Sequence, residues 1–189
     1  MRTKAARSAI LLLCLFVPAA AQKLTGSLRG YPVHQERVRV VAGSVRDASV
    51  AEKADVVIDL GEPKLVSAGL FGVTIEIGCD VLPIGYSGHV DFLTFEDLRI
   101  NGVTADADEY AHSFDFTRGK SLSLPTPLRV SVGGRSLAKA AYAEIFAARS
   151  EWPVTGTIFV YGRFKKFGFS FKRVVPVKIE LRIKNPLNK

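Results

Sequence analysis

Apolar residues recur at every second position along most of this chain, which is the period of a strand with one buried face. Val73, Ile75, Ile77, Cys79 and Val81 share one face while Thr74, Glu76 and Asp80 share the other. Val177, Ile179, Leu181 and Ile183 alternate with Lys178, Glu180, Arg182 and Lys184, the most regular strand in the sequence. Between His89 and Ile100, Leu93 and Phe95 keep one phase and Leu98 and Ile100 keep the other. That switch predicts a bulge near Glu96-Asp97. Asn101-Gly102 is a tight-turn signal, followed by an acidic loop over 105–109. Leu122, Leu124, Leu128, Val130 and Val132 alternate around Pro125 and Pro127, which predicts an edge strand or a kink. Val154, Ile158, Val160 and Phe164 hold one face of a further strand, and Phe167, Phe169 and Phe171 one face of the next. Phe164-Lys165-Lys166 is predicted as the hairpin tip between them.

One segment departs from this period. Residues 136–149 are rich in helix formers, with Leu137, Ala141, Ile145 and Ala148 spaced by three or four. Ser136 suits an N-cap, Gly133-Gly134 separate the segment from the preceding strand, and Pro153 cannot continue a helix. Many short strands with turns between them, interrupted by one helix, predict a mainly β fold: an antiparallel sandwich carrying one α-helix.

The first residues have a different pattern again. Arg2, Lys4 and Arg7 precede an apolar run from Ile10 to Val17, and Ala19-Ala20-Ala21 follow, which reads as a signal peptide over 1–21 cleaved before Gln22. The run is well short of the roughly 20 residues that cross a bilayer. The expected location is therefore secreted or periplasmic. Residues 22–53 read as a basic leader broken by Gly26, Gly30, Pro32 and Gly43, with at most an edge strand at Val38 to Val41, and 54–189 as the sandwich domain.

The formal net charge is +8, and loss of Arg2, Lys4 and Arg7 with the signal would leave +5. Cys14 falls in the signal, so Cys79 is left alone, which excludes an internal disulfide and a cysteine-based zinc cluster. Stability must then come from a core, and 48% hydrophobic residues supply one. Cys79 itself is expected in that core.

Little in the sequence spells out a reaction. His34, His89 and His112 have no paired spacing of the kind that holds a metal. Asp106, Asp108 and Glu109 have the look of a calcium loop, but Ala111 stands where its glycine would be and no glutamate closes it. Gly85-Tyr86-Ser87-Gly88-His89 sets a serine beside a histidine, yet the spacing is short for a nucleophile elbow and both flanks read as strands. No catalytic, cofactor or metal residue is assigned, and a non-enzymatic protein is expected. The interaction surface that stands out is the basic, aromatic run 161–173, with Arg163, Lys165, Lys166, Lys172 and Arg173. Cations there neutralise phosphate or headgroups while rings give contact area. The plainer reading has the alternating phenylalanines in the core and the cations on the wet face, with Lys165 and Lys166 discouraging edge pairing.

The order of elements resembles the water stress and hypersensitive response (WHy) domain of the atypical, folded late embryogenesis abundant proteins, over roughly Glu62 to Pro176. The matching segments are a Pro-initiated strand from Pro63 to Leu70, a strand ending in the turn Leu98-Arg99-Ile100-Asn101-Gly102-Val103, and an aromatic and glycine-bearing strand after the helix, Trp152-Pro153-Val154-Thr155-Gly156-Thr157-Ile158. The Asn-Pro-Asn-like turn usual after the second strand is replaced by Cys79-Asp80-Val81-Leu82-Pro83. The resemblance implies an immunoglobulin- or fibronectin III-like sandwich of about seven strands with one helix. It also implies an exported protein that protects against desiccation or related stress, acting on client proteins or membrane surfaces without a cofactor. The alternative is a cationic binding or adhesion module for an acidic polymer, an anionic lipid or a partner protein. Specific nucleic-acid binding is not expected.

Overall fold

The structure is a computed structural model that describes residues 26–36, 38–42, 56–69, 72–81, 85–133, 150–166 and 168–185. In chain order the strands are β1 (Ser27–Leu28), β2 (Tyr31–Pro32), β3 (Val38–Ala42), β4 (Val56–Leu60), β5 (Lys64–Gly69), β6 (Gly72–Ile77), β7 (Cys79–Val81), β8 (Ser87–Ile100), β9 (Val103–Thr104), β10 (Asp106–Ala107), β11 (Phe114–Phe116), β12 (Leu122–Ser123), β13 (Leu128–Gly133), β14 (Glu151–Lys166) and β15 (Phe169–Lys184). The fold is mainly β, as the alternation predicts. The signal segment and the helix predicted over 136–149 lie outside the described residues.

Three sheets carry the architecture. The largest runs β11-β8-β14-β15, with β9 folding back on the end of β8; the others run β10-β13-β6-β5 and β12-β7-β4-β3. All these pairings are antiparallel except β3 with β4, which is parallel. The two smaller sheets share a bent hairpin: β4 pairs β7, β5 pairs β6, and the chain changes sheet at Gly61 to Pro63 and again at Gly78. At that corner the Gly61 N–H donates to the Gly78 carbonyl at 2.9 Å. The kink expected at Pro125 and Pro127 is a sheet change of the same kind, from β12 to β13.

The apolar faces of all three sheets meet in one core, giving a sandwich-like arrangement. Val73, Ile75, Ile77, Val130 and Val132 meet Val90, Ile100, Val154, Ile158, Val177 and Ile179, with Ile58, Leu60 and Cys79 at the third sheet. Trp152 is fully buried at the start of β14. Burying such side chains stabilises by about 1.5–3 kcal/mol each, against a comparable ordering cost.

The expected bulge is present. Thr155 pairs Arg99 and Thr157 pairs Glu96, so Asp97 and Leu98 face one residue of β14, and Asp97 takes φ 52. The extra residue turns Leu98 and Ile100 inward, which explains the phase switch within what is a single long strand. The Asn101-Gly102 turn has φ 52 and 81, the left-handed pair a two-residue hairpin requires.

The segment read as a leader supplies β1 to β3. β3 is an edge strand, and Leu28, Tyr31 and Val33 pack on the outer face of the large sheet over Phe92, Phe159, Tyr161 and Val174. The Tyr31 ring stands edge-on to Tyr161 at 5.2 Å, and its hydroxyl donates to Asp91 at 2.9 Å. Burial and that bond raise the Tyr31 pKa.

Candidate functional site

The cationic run lies at the free end of β14 and β15, which pair in unbroken register from Glu151 opposite Lys184 to Lys166 opposite Phe169. The turn therefore falls beyond Lys166, with Gly168 at φ 82, and the tip expected at Phe164 to Lys166 is paired strand. Alternation then distributes the side chains. Arg163 pairs Lys172 and Lys165 pairs Ser170, so these lie on the outer face that continues from Tyr161. Phe164 pairs Phe171, so Phe169, Phe171 and Arg173 continue the inner face of Val175 and Val177.

That inner face outruns the core. Phe164 is buried, whereas Phe171 is 39% exposed and Phe169 69% exposed. The core-facing assignment of the alternating phenylalanines therefore fails at 169 and 171. β8 pairs β14 as far as Ser87 opposite Lys165, and β15 is the sheet's edge, so only the pair Lys166 and Phe169 extends beyond the third strand. The two exposed rings lie 6.4 Å apart.

Arg163, Lys165, Lys172 and Arg173 are at least partly exposed, and among the described residues none of the four has an acidic partner within ion-pair distance. Lys172 instead places its Nζ over the Tyr31 ring at 4.1 Å. Arg173 stacks its guanidinium over Phe171 at 4.8 Å. The pair Arg163 and Lys172 sets like charges directly opposite on two strands, an arrangement that costs a sheet some stability. The structure thus brings four of the five candidates together on one ribbon; the Lys166 side chain lies outside the described residues.

The other motifs are engaged locally. The Ser87 hydroxyl accepts the Arg118 N–H at 2.9 Å, and His89 lies between Asp115 at 2.9 Å and Asp91 at 3.6 Å. Glu109 is bound to Arg29 at 2.6 Å. That hydrogen bond, above all, raises the Arg29 pKa. His34 reaches Glu36 at 3.2 Å and His112 stands edge-on to Tyr110 at 5.5 Å. Among the described residues no group of three or more His, Cys, Asp or Glu lies close enough to hold a metal ion.

Between the large sheet and the third sheet lies a cavity of about 80 Å³, lined by Val38, Ile58, Cys79, Tyr86, Phe116 and Phe164 among others. It is almost wholly apolar and well below the roughly 300 Å³ of a small-molecule site. Sequence reasoning had no signal for it. Nor did it single out Tyr31, which seats Lys172, because aromatic contact across 141 positions leaves no local pattern.

No family profile matches the chain, and no curated protein matches it. Among solved structures, a protein from Archaeoglobus fulgidus is similar at 12% identity over 67% of this chain and 95% of that one, with a TM-score of 0.36, which is too slight a likeness to bear on fold or function.

Proposed function

We propose that this chain is an exported, non-enzymatic binding protein of the stress-protective kind, whose working surface is the β14–β15 ribbon and whose partner is densely anionic. The observation that carries the reading is the Arg163–Lys172 pair: two cations opposed across strands, with no carboxylate within ion-pair distance of either among the described residues. An anionic partner would relieve that repulsion on binding. Lys165 and Arg173 extend the same positive field along the ribbon. The protective setting rests on the resemblance to WHy domains at Pro63 to Leu70, Leu98 to Val103 and Trp152 to Ile158. With it goes the finer fold reading, an immunoglobulin- or fibronectin III-like sandwich completed by a helix over 136–149.

Retention on an immobilised polyanion such as heparin tests the surface. Binding should weaken steeply with salt, and a variant with Arg163, Lys165, Lys166, Lys172 and Arg173 all changed to Gln should lose it while melting as cooperatively as the parent. Undiminished retention by that variant would reject the ribbon as the surface. Aggregation of a dried or heated client protein, measured with the same variant, separates the two parts of the proposal. Protection that persists rests on the general surface, and protection that is lost rests on the ribbon.

A further inference from the structure

We infer that the β14–β15 ribbon is a membrane-docking element that seats on anionic lipid bilayers, with Phe169 and Phe171 in the boundary between headgroups and acyl chains and the cations among the headgroups. The inference rests on the anion-binding reading above and names its partner. A soluble polyanion would be served by Arg163, Lys165, Lys172 and Arg173 alone, and two phenylalanine rings held in water beside them would add nothing. The rings are nevertheless there, at the end of β14 and β15, where the Lys166–Phe169 pair runs past the reach of β8, with Phe169 the more exposed of the two.

The spacing also fits. Phe171 and Arg173 are two residues apart on one face, about 7 Å along a strand, and a headgroup layer is roughly 5–8 Å deep. With the two rings straddling the acyl boundary, the Arg173 guanidinium, 4.8 Å from the Phe171 ring, lies among the headgroups. Lys172 and Lys165 flank it from the opposite face of the ribbon. Weak apolar insertion together with a polybasic patch is the pairing of signals that gives lasting attachment, because neither is sufficient alone. The net positive charge of the chain has the right sign for the approach.

The test uses the full chain and two variants of it, so that any contribution from the apolar run at 10–17 is common to all. Co-sedimentation is measured with vesicles of phosphatidylcholine alone and of phosphatidylcholine mixed with phosphatidylglycerol, alongside retention on heparin. The parent should bind the mixed vesicles more tightly than the neutral ones. Phe169→Ser with Phe171→Ser should weaken vesicle binding about ten-fold or more and leave heparin retention unchanged. Phe169→Trp should shift its emission to the blue, and be quenched by brominated acyl chains, more on the anionic vesicles than on the neutral ones; Trp152 is the sole native tryptophan and is fully buried. Heparin retention without vesicle binding would overturn this inference and leave the anion-binding proposal standing; loss of both would end the two together. Vesicle binding that is indifferent to the double serine change would overturn insertion. So would a lipid-free dimer that this change dissolves while vesicle binding stays the same, since the rings would then cover a second copy. Melting of each variant near the parent temperature is the control for folding, as exposed positions allow.

Discussion

Phe164 and Phe171 stand directly opposite each other on β14 and β15, and only one of them is inside the protein. Phe164 meets the rings of Tyr86 at 6.0 Å and Phe116 at 5.9 Å, while Phe171 faces its neighbour Phe169 and the Arg173 guanidinium. Phe164→Ala should therefore cost about 3–5 kcal/mol in denaturant unfolding, and Phe171→Ala under about 1 kcal/mol. Equal losses would mean that Phe171 is covered and that the ribbon has no apolar tip.

Cys79 opens β7 at the corner where the chain changes sheet, and its carbonyl accepts the Leu124 N–H at 2.9 Å. Burial, helped by Asp80 and Asp59, pushes its thiol up to about 12. Thiolate is the reactive form, so alkylation of the folded protein at mildly basic pH should be slow and should become fast only in denaturant. Cys79→Ser should destabilise by about 1–3 kcal/mol, because it leaves a hydroxyl in an apolar layer. Rapid labelling without denaturant would place the residue at the surface.

Local pattern was legible where the physics is local. The faces of Val73, Ile75 and Ile77, the bulge at Asp97 and the Asn101-Gly102 turn each depend on neighbours within a few positions, and each is where alternation and turn chemistry put it. Alternation also put Phe169 and Phe171 on one face; that this face continues into Val175 follows from the single long β15. It could not say that the described residues leave Phe169 and Phe171 exposed on that face, because this depends on where β8 stops pairing and on the other sheets. The sheet change at Gly61 and Gly78 was hidden for the same reason: a strand that moves between sheets keeps its period. The cationic ribbon was legible as composition, but its division into two faces needed the register of β14 on β15.

Gly162 is a place where β8 and β14 approach too closely for a side chain. A Cβ there would lie 2.3 Å from the His89 carbonyl oxygen and 3.1 Å from Val90 Cα, beside the register shift that leaves Asp91 unpaired between Phe92 and Val90. Backbone cannot yield as a flexible side chain does, so Gly162→Ala should cost about 1–3 kcal/mol. Thermal unfolding measures it, and an unchanged midpoint would show that the two strands are further apart than this register requires.

Asp59 on β4 stands directly opposite Asp80 on β7, and its Oδ1 is buried with no hydrogen-bond partner among the described residues. Burial first, and then the charge of Asp80, raises the Asp59 pKa above its ordinary value. An acid with a raised folded pKa binds its proton more tightly in the folded state than in the unfolded one. Its contribution to stability is therefore fully present in acid, and is lost as pH climbs from the ordinary carboxylate value near about 4 up to the folded pKa. Asp59→Asn removes the titration, so the difference in unfolding free energy between variant and parent should grow in the variant's favour across that window and then level off. Asp80→Asn should remove only the part due to its charge and leave the part due to burial, giving a shallower version of the parent's profile. Asp59→Val also removes the unpaired oxygen and adds a good strand former, and should stabilise by about 1 kcal/mol at neutral pH. Denaturant unfolding at a series of pH values measures all three; a parent-minus-Asn difference that is flat across the window, or one that runs the other way, would show that Asp59 is solvated and its charge already compensated.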